Sequence, residues 1–408
     1  MLAGALAPAV GWAQTQTAGQ TPTETEQRIE GPSYGKVTLL LTQAFDSNVF
    51  AVPESQHPIS DMVTRFGPTF EVGRNSRRLR LVARYGMAAE RYLDRYDLNT
   101  GMARQDGRVE MRYNASRRTE LHGDGGYLDT QSPRELNLAT LLTTGRTRAE
   151  RISGNFGVAQ SLTSRTKFDA DYDVVKDTLA EHLSNLSNTG RFGVSWQTSP
   201  RGTVRVDYRP RYVEFGTVIP VPTATPPPPG APVPTVLANR SEITQVISGG
   251  FKWTATPLTT IDVNAGPRFS SNDIRPEISA TFRHRAQRGT ELSASYLATQ
   301  DTSFGEVLFG ETPVLEAGFY DVQRVNAVLS ITPLRPLTMA AMPAFARSTR
   351  LGRHSDVREL SVDITVRAMR KLTFIAAGRV SDQQSAFTNA NDPIRGRLLA
   401  LTAQLTLP

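Results

Sequence analysis

The chain has 408 residues, no cysteine, and 46 basic against 39 acidic side chains, for a net charge of +7. Only 39% of residues are hydrophobic and the mean hydropathy is −0.33. No apolar run reaches the roughly eighteen residues of a spanning helix, so a bundle of membrane helices is excluded. The basic excess does not point to nucleic acid either. Arginines are scattered along the whole chain among acidic residues, whereas a nucleic-acid footprint clusters on one face.

In chain order, the first segment, Leu2–Trp12, is apolar and small, and Ala13 precedes the polar run QTQTAGQTPTETEQ. Residues 1–13 read as the hydrophobic region and cleavage site of a partial secretory signal peptide, with the true start upstream because a positive leader is missing. Residues 14–33 read as a polar periplasmic tail. From 34 to 408 the signal is period-2 alternation in segments of about ten residues, the pattern of a transmembrane β-barrel in which every second residue meets lipid. Leu360, Val362, Ile364 and Val366 share one face, opposed by Glu359, Ser361, Asp363 and Thr365; Val204, Val206, Tyr208 and Tyr212 oppose Arg205, Asp207, Arg209 and Arg211. A helix would scatter these charges around all its sides.

Strands are expected to begin near Tyr34, Asp61, Arg77, Ala103, Arg118, Thr147, Arg165, Ser187, Gly202 and Arg240. They continue from Thr259, Pro276, Gly289, Ala317, Pro336, Asp356, Lys371 and Ile394. That makes an all-β, antiparallel up-and-down barrel of about eighteen strands. The links alternate in length. Short ones follow even strands, such as Ser116–Arg117, Thr163–Ser164 and Met369–Arg370. Longer ones follow odd strands: Asp46–Ser60, Asp94–Met102, Thr130–Arg146, Leu179–Leu186, Val218–Asn239, Thr302–Glu316, Arg350–Ser355 and Ser381–Pro393, with Ser271–Arg275 a short exception. Short periplasmic turns opposite long extracellular loops characterise this class of barrel. Both termini are therefore expected in the periplasm and the chain in the outer membrane, in contact with lipid and lipopolysaccharide. Val218–Asn239, with its Pro226–Pro229 run, reads as too rich in proline to pair. Trp196 and Trp253 fall near periplasmic strand ends, with Tyr85, Tyr92, Tyr208 and Tyr212 elsewhere on the outward face, as interface girdles favour.

Chemistry is hard to find. The histidines at 57, 122, 182, 284 and 354 form no metal pattern, no cysteine serves as nucleophile, and no Gly-x-Ser-x-Gly elbow or phosphate loop occurs. His122 and Asp124 share the inward face of one strand and form a candidate acid–base pair, and Asp46 beside Asn48 is a candidate cation ligand. For both, polar lumen residues satisfying one another is the better reading. No enzyme and no cofactor is expected.

What remains is the lumen. Its candidate lining is Arg65, Arg80, Arg84, Arg108, Arg112, Arg205, Arg209, Arg211, Arg268, Arg283, Arg324 and Arg379, with the carboxylates Asp169, Asp171 and Asp173 among its acidic partners. Only five of the 46 basic residues are lysine. Arginine's planar fork grips carboxylates and stacks on flat faces, which suits an acidic saccharide. GC-rich codon usage gives the same excess.

The run TQAFDSNVF, then Ser60-Asp61 and a strand whose middle carries Pro68, resembles the opening of the β-barrel porin-2 group. There the first strand ends in Asp-[Asp/Ser]-Asn-[Val/Ile]-[Phe/Tyr]; the matching residues are Asp46, Ser47, Asn48, Val49 and Phe50. Members of that group commonly accompany exopolysaccharide or capsule export. The resemblance therefore implies a channel passing a polysaccharide across the outer membrane, with a periplasmic polysaccharide-export protein as partner, and it supplies no catalytic residues. From the residues alone, Asp46 and Asn48 are turn formers, and Val49 and Phe50 are placed to fold back over the rim. A general small-solute porin, and a closed structural or adhesive barrel acting through its external loops, stand as alternatives.

Overall fold

In a computed structural model, residues 33–180, 183–220, 235–270, 273–286, 289–309, 312–350, 352–385 and 392–407 are described. The signal segment, nearly all of the tail and the proline-rich stretch 221–234 lie outside them. Eighteen strands form one sheet. They are β1 (Ser33–Asp46), β2 (Asp61–Asn75), β3 (Leu79–Tyr92), β4 (Thr100–Asn114), β5 (Thr119–Thr130) and β6 (Ala149–Ser161). Next come β7 (Thr166–Leu179), β8 (Leu183–Ser199), β9 (Gly202–Pro220), β10 (Thr235–Thr256), β11 (Thr259–Phe269) and β12 (Ile274–Ala286). The last are β13 (Thr290–Phe309), β14 (Thr312–Leu334), β15 (Leu337–Arg350), β16 (Arg353–Arg367), β17 (Leu372–Ser385) and β18 (Ile394–Leu407). Each pairs antiparallel with its neighbours, and β18 closes on β1 from Val37↔Leu407 to Asp46↔Leu398, so the sheet has no edge.

The alternation sorts side chains between two solvents. Leu41, Phe70, Val206, Ile247, Phe251, Val263, Leu329, Val362 and Leu401 all point outward and are exposed. In water such a wall would far exceed the few hundred Å² of apolar patch that a soluble protein shows. Lipid is the solvent that fits it, and the chain is a transmembrane β-barrel of the outer-membrane type. Trp196 and Trp253 stand on this outer face near short turns, as read from the sequence. Tyr92 does not. It is an even position on β3 whereas Tyr85 is odd, so the pleat turns it inward, where it is 4% exposed.

Short links follow every even strand, and several are built by a hydroxyl. Ser76 Oγ accepts from Leu79 N (3.1 Å), and Thr163 Oγ1 accepts from Thr166 N (2.9 Å). The opposite rim departs from the sequence reading. Leu179–Leu186, Thr302–Glu316 and Arg350–Ser355 are not long loops, because β7 runs to Leu179 and β8 starts at Leu183, β13 meets β14 at 309–312, and β15 meets β16 at 350–353. Residues 218–220 and 235–239, within the stretch read as unable to pair, are paired strand. Backbone groups in neighbouring strands go on satisfying each other past the membrane, so the extra length becomes tall hairpins. The links 47–60 and 131–148 are long.

Prolines inside strands open the ladder locally. At Gly67-Pro68, Gly190/Pro210, Gly266-Pro267 and Pro343, pairing with one neighbour skips two positions and then resumes in the same register. Proline has no N–H to donate there. At two of these gaps glycine lets the backbones close: a Cβ on Gly67 would sit 1.8 Å from Met87 O, and one on Gly266 1.9 Å from Ile247 O. Gly67→Val should therefore destabilise the barrel by about 3 kcal/mol or more. Gly35→Val, which meets nothing within 4 Å, should be neutral. Urea unfolding in lipid vesicles measures both.

Candidate functional site

All fifteen candidate lumen residues lie on the face opposite the apolar girdle. The register shows this strand by strand, from Arg65 on β2 to Arg379 on β17. Their charges are segregated around the wall. Arg80, Arg84, Arg108 and Arg112 stand on β3 and β4; Asp169, Asp171 and Asp173 stand on β7, with Glu120 and Asp124 on β5; Arg205, Arg209 and Arg211 stand on β9. Across the lumen, the inner positions of β15, β17 and β18 carry Ala340, Met342, Ala344, Ala377 and Ala400. Small side chains are concentrated on this side, but Glu359 and Asp363 on β16 and Arg379 on β17 share its inner face.

Many of these charges hold one another. Arg108 meets Glu110 (2.9 Å), Arg205 meets Asp207 (2.6 Å), and Asn155 donates to Asp173 (2.6 Å). Others reach across strands: Arg209 to Glu277, Arg268 to Asp321 (2.5 Å) and Arg211 to Asp301 (3.7 Å). His122 does not pair with Asp124; its Nε2 lies 2.6 Å from Asp171 Oδ1 on β7. The nearer carboxylate comes from two strands away, since β6 between them offers only Gly157 opposite His122. Asp46, the candidate cation ligand, is engaged locally. Its Oδ1 accepts from Asn48 N (2.9 Å), and no group of three or more potential metal ligands occurs among the described residues.

The Asp-Ser-Asn-Val-Phe run is a corner. Asn48 Nδ2 donates to Val52 O (2.8 Å) and Arg395 O (3.0 Å), and Val52 N donates back to Asn48 Oδ1 (3.0 Å). Ser47 Oγ accepts from Arg397 N (2.8 Å). Val49 and Phe50 then turn inward onto Ala44, Val63, Tyr92 and Leu398, with Arg95 over the Phe50 ring at 4.7 Å. Asp61, 3% exposed, accepts backbone N–H bonds from Met62 (2.6 Å), Asp94 (3.2 Å) and Arg95 (2.9 Å), which fastens the neighbouring loop. Ser60 is exposed.

The sequence reading missed one feature and misplaced its residues. The β5–β6 link, read as a loose external loop, folds into the barrel as a strap over residues 131–148. Leu136, Asn137, Thr140 and Leu142 are each at most 3% exposed. Asn137 pairs like a peptide with the free edge of β13: its Nδ2 donates to Phe304 O (2.9 Å), and its Oδ1 accepts from Phe304 N (3.0 Å) and Ser303 Oγ (2.7 Å). That edge is free because β12 pairs with β13 only up to Ala298. Gln383 on β17 repeats the device, its Oε1 accepting from Thr143 N (2.7 Å) and its Nε2 donating to Thr143 O (3.2 Å). Arg324 donates to Leu138 O (2.6 Å), Arg134 meets Glu359 on β16, and Arg146 donates to Tyr92 Oη and Glu90 (both 2.7 Å). Leu141, at φ 57, takes the left-handed region that a branched side chain adopts only at a cost.

Beneath these polar anchors is an apolar seal. Leu136 joins Leu179, Val213, Phe215 and Phe304 in one cluster, and Leu141 and Leu142 join Tyr320, Val322 and Val357 in another. Phe215 and Phe319, from β9 and β14, meet edge to face at 5.1 Å. β14 thus leans across the lumen onto β9, beside the strap. A cavity of about 130 Å³ lies between the strap and the wall that carries Arg65, Arg104 and Arg379. Burial, followed by the like charges of Arg379 and Arg324, holds the Arg134 guanidinium below its ordinary pKa. The sequence signal for the strap was Asn-Leu-Ala-Thr-Leu-Leu at 137–142, an apolar run out of place in a solvated loop.

No protein-family model matches the chain, and no curated protein matches it either. Among solved structures it is similar to the copper transporter OprC (TM-score 0.47, 11% identity, 92% of this chain and 81% of that one). It is also similar to OccK11 (OpdR) from Pseudomonas aeruginosa (0.46, 12%, 92% and 96%) and to the FrpB iron transporter from Neisseria meningitidis (0.47, 10%, 91% and 81%). These likenesses are ones of barrel form alone.

Two substitutions test the strap. Asn137→Ala leaves the Phe304 N–H and C=O without partners in a buried place and should cost about 3 kcal/mol. It should also raise conductance in a planar bilayer, because the strap is then released. Glu90→Gln removes the buried negative charge that both Arg65 (2.5 Å) and Arg146 (2.7 Å) contact. It should cost about 3 kcal/mol, read by urea unfolding.

Proposed function

We propose that the protein is an outer-membrane channel that passes an anionic polysaccharide, working with a periplasmic export protein, with its termini in the periplasm and the strap toward the outside. The observation that carries this reading is the arginine-rich lumen wall, with small side chains concentrated on β15, β17 and β18. Arginine forks offer carboxylates a bidentate grip, and the wall of alanines opposite gives the apolar ring faces of a sugar a surface to slide along. Eighteen strands enclose enough width for an aqueous passage. The resemblance at Asp46–Phe50 supports export in particular. On this reading the strap is a gate that swings aside for a polymer, and the outer girdle meets lipid and lipopolysaccharide.

A second reading is a small-solute porin whose strap is a fixed constriction. The strap's anchoring on β13, β14, β16 and β17 favours it. Single-channel conductance of the refolded chain in a planar bilayer, with and without an oligogalacturonate, separates the two. Conductance interrupted by the acidic oligosaccharide and not by a neutral one of equal length is the outcome expected for export. Steady conductance indifferent to both sugars would establish the porin, and no conductance under any condition would overturn both.

A further inference from the structure

The cavity beside the strap holds more positive charge than its partners absorb. Arg65 and Arg146 both contact the carboxylate of Glu90. Arg104 is taken up by Glu135 (3.0 Å) and Asp106, and Arg134 by Glu359. Arg379 on β17 also lines the cavity, and among the described residues it makes no hydrogen bond or ion pair. Asp46 and Glu135 line the same cavity, and neither forms an ion pair with Arg379. The one engaged oxygen of Asp46 is held by the Asn48 N–H. Arg84, by contrast, also stands without an ion pair among the described residues but is exposed in the wet lumen, where water solvates its charge. Arg379 is half-buried under the strap, where an unmatched charge costs more.

We propose that this cavity is a carboxylate-binding site of the channel mouth, with Arg379 as its recognition residue. The chemistry selected is a planar carboxylate borne on a small hydroxylated ring, as in a uronic acid. A guanidinium fork matches a carboxylate with two parallel N–H donors. The volume of about 130 Å³ equals about four waters, which is room for the acid group and the ring atoms next to it. The wall offers more than charge: Thr130 and Ser381 line the same space, with hydroxyls for a sugar edge. The strap forms the opposite side through Pro133, Arg134 and Thr143, so a bound uronate touches the gate itself. This rests on the channel reading for its purpose, though not for its chemistry.

The test is calorimetric titration of the full, refolded chain in detergent with glucuronate, and with glucose as the neutral probe. Glucuronate should bind and glucose should not. Arg379→Gln should weaken glucuronate about tenfold, the loss of one charge-assisted contact. Arg379→Lys should fall between the two, since it keeps the charge and loses the fork. Asp46→Asn, which retains an oxygen for the Asn48 N–H, should tighten binding by removing the competing acid. Arg370→Gln, on the opposite rim, should change nothing. Circular-dichroism melting checks each variant; if Arg379→Gln fails to fold, the lysine and asparagine variants carry the comparison. Equal affinity for glucuronate and glucose, or for wild type and Arg379→Gln, would overturn the site. Binding without conductance in the bilayer experiment would sink the channel and leave the site standing; conductance without binding would do the reverse.

Discussion

Lipid offers no partner to a peptide N–H or C=O, so a strand that enters it must find both partners in its neighbours. A chain of strands meets that demand only by closing on itself. Everything else in this structure sits within that closure. The C-terminal strand lies against the first from Val37 to Asp46, and the even number of strands lets it do so antiparallel. The period-2 pleat then gives each strand one lipid face and one lumen face without further instruction. In-strand prolines are tolerated because each breaks only one side of the ladder for two positions, twice with a glycine where the backbones close.

The same rule explains the mouth. Where β13 outruns β12, its free edge lies outside lipid but is folded inward, away from water. The carboxamide of Asn137 serves as a substitute strand for Phe304, and Arg211 donates to Gln300 O (3.2 Å) on the same edge. Gln383 does likewise for the peptide of Thr143. A side-chain amide has the donor and acceptor of a peptide in the same spacing, so it can pair with the backbone without continuing the sheet. The strap is thus held by polar groups that a solvated loop has no use for, and sealed by leucines that a solvated loop would expose.

Charge plays a different part. Paired arginines and carboxylates tie adjacent and distant strands together inside a wet lumen, where each pair is worth little on its own. Their distribution matters more than their sum: arginines crowd β3, β4 and β9, carboxylates crowd β5 and β7, and small side chains crowd β15, β17 and β18. At the mouth the pairing thins out: among the described residues no acid forms an ion pair with Arg379. An imbalance tolerated beside water is costly beneath a strap, and that is what marks the cavity out.

The strand count, the parity of the short turns and the inward set of arginines were legible in the sequence because each depends only on neighbours one or two residues away. Tyr92 was misread by a single step of that count, and it landed in the mouth. The corner at Asp46–Asn48 was legible as a turn for the same local reason. The strap was not, nor was the partner of His122, nor the length of the β13–β14 hairpin. Whether Asn137 points to solvent or to Phe304 depends on a β13 edge left bare by a shorter β12, residues more than a hundred positions away. Local periodicity decides which face a side chain takes; only the closed barrel decides what stands opposite it across the lumen.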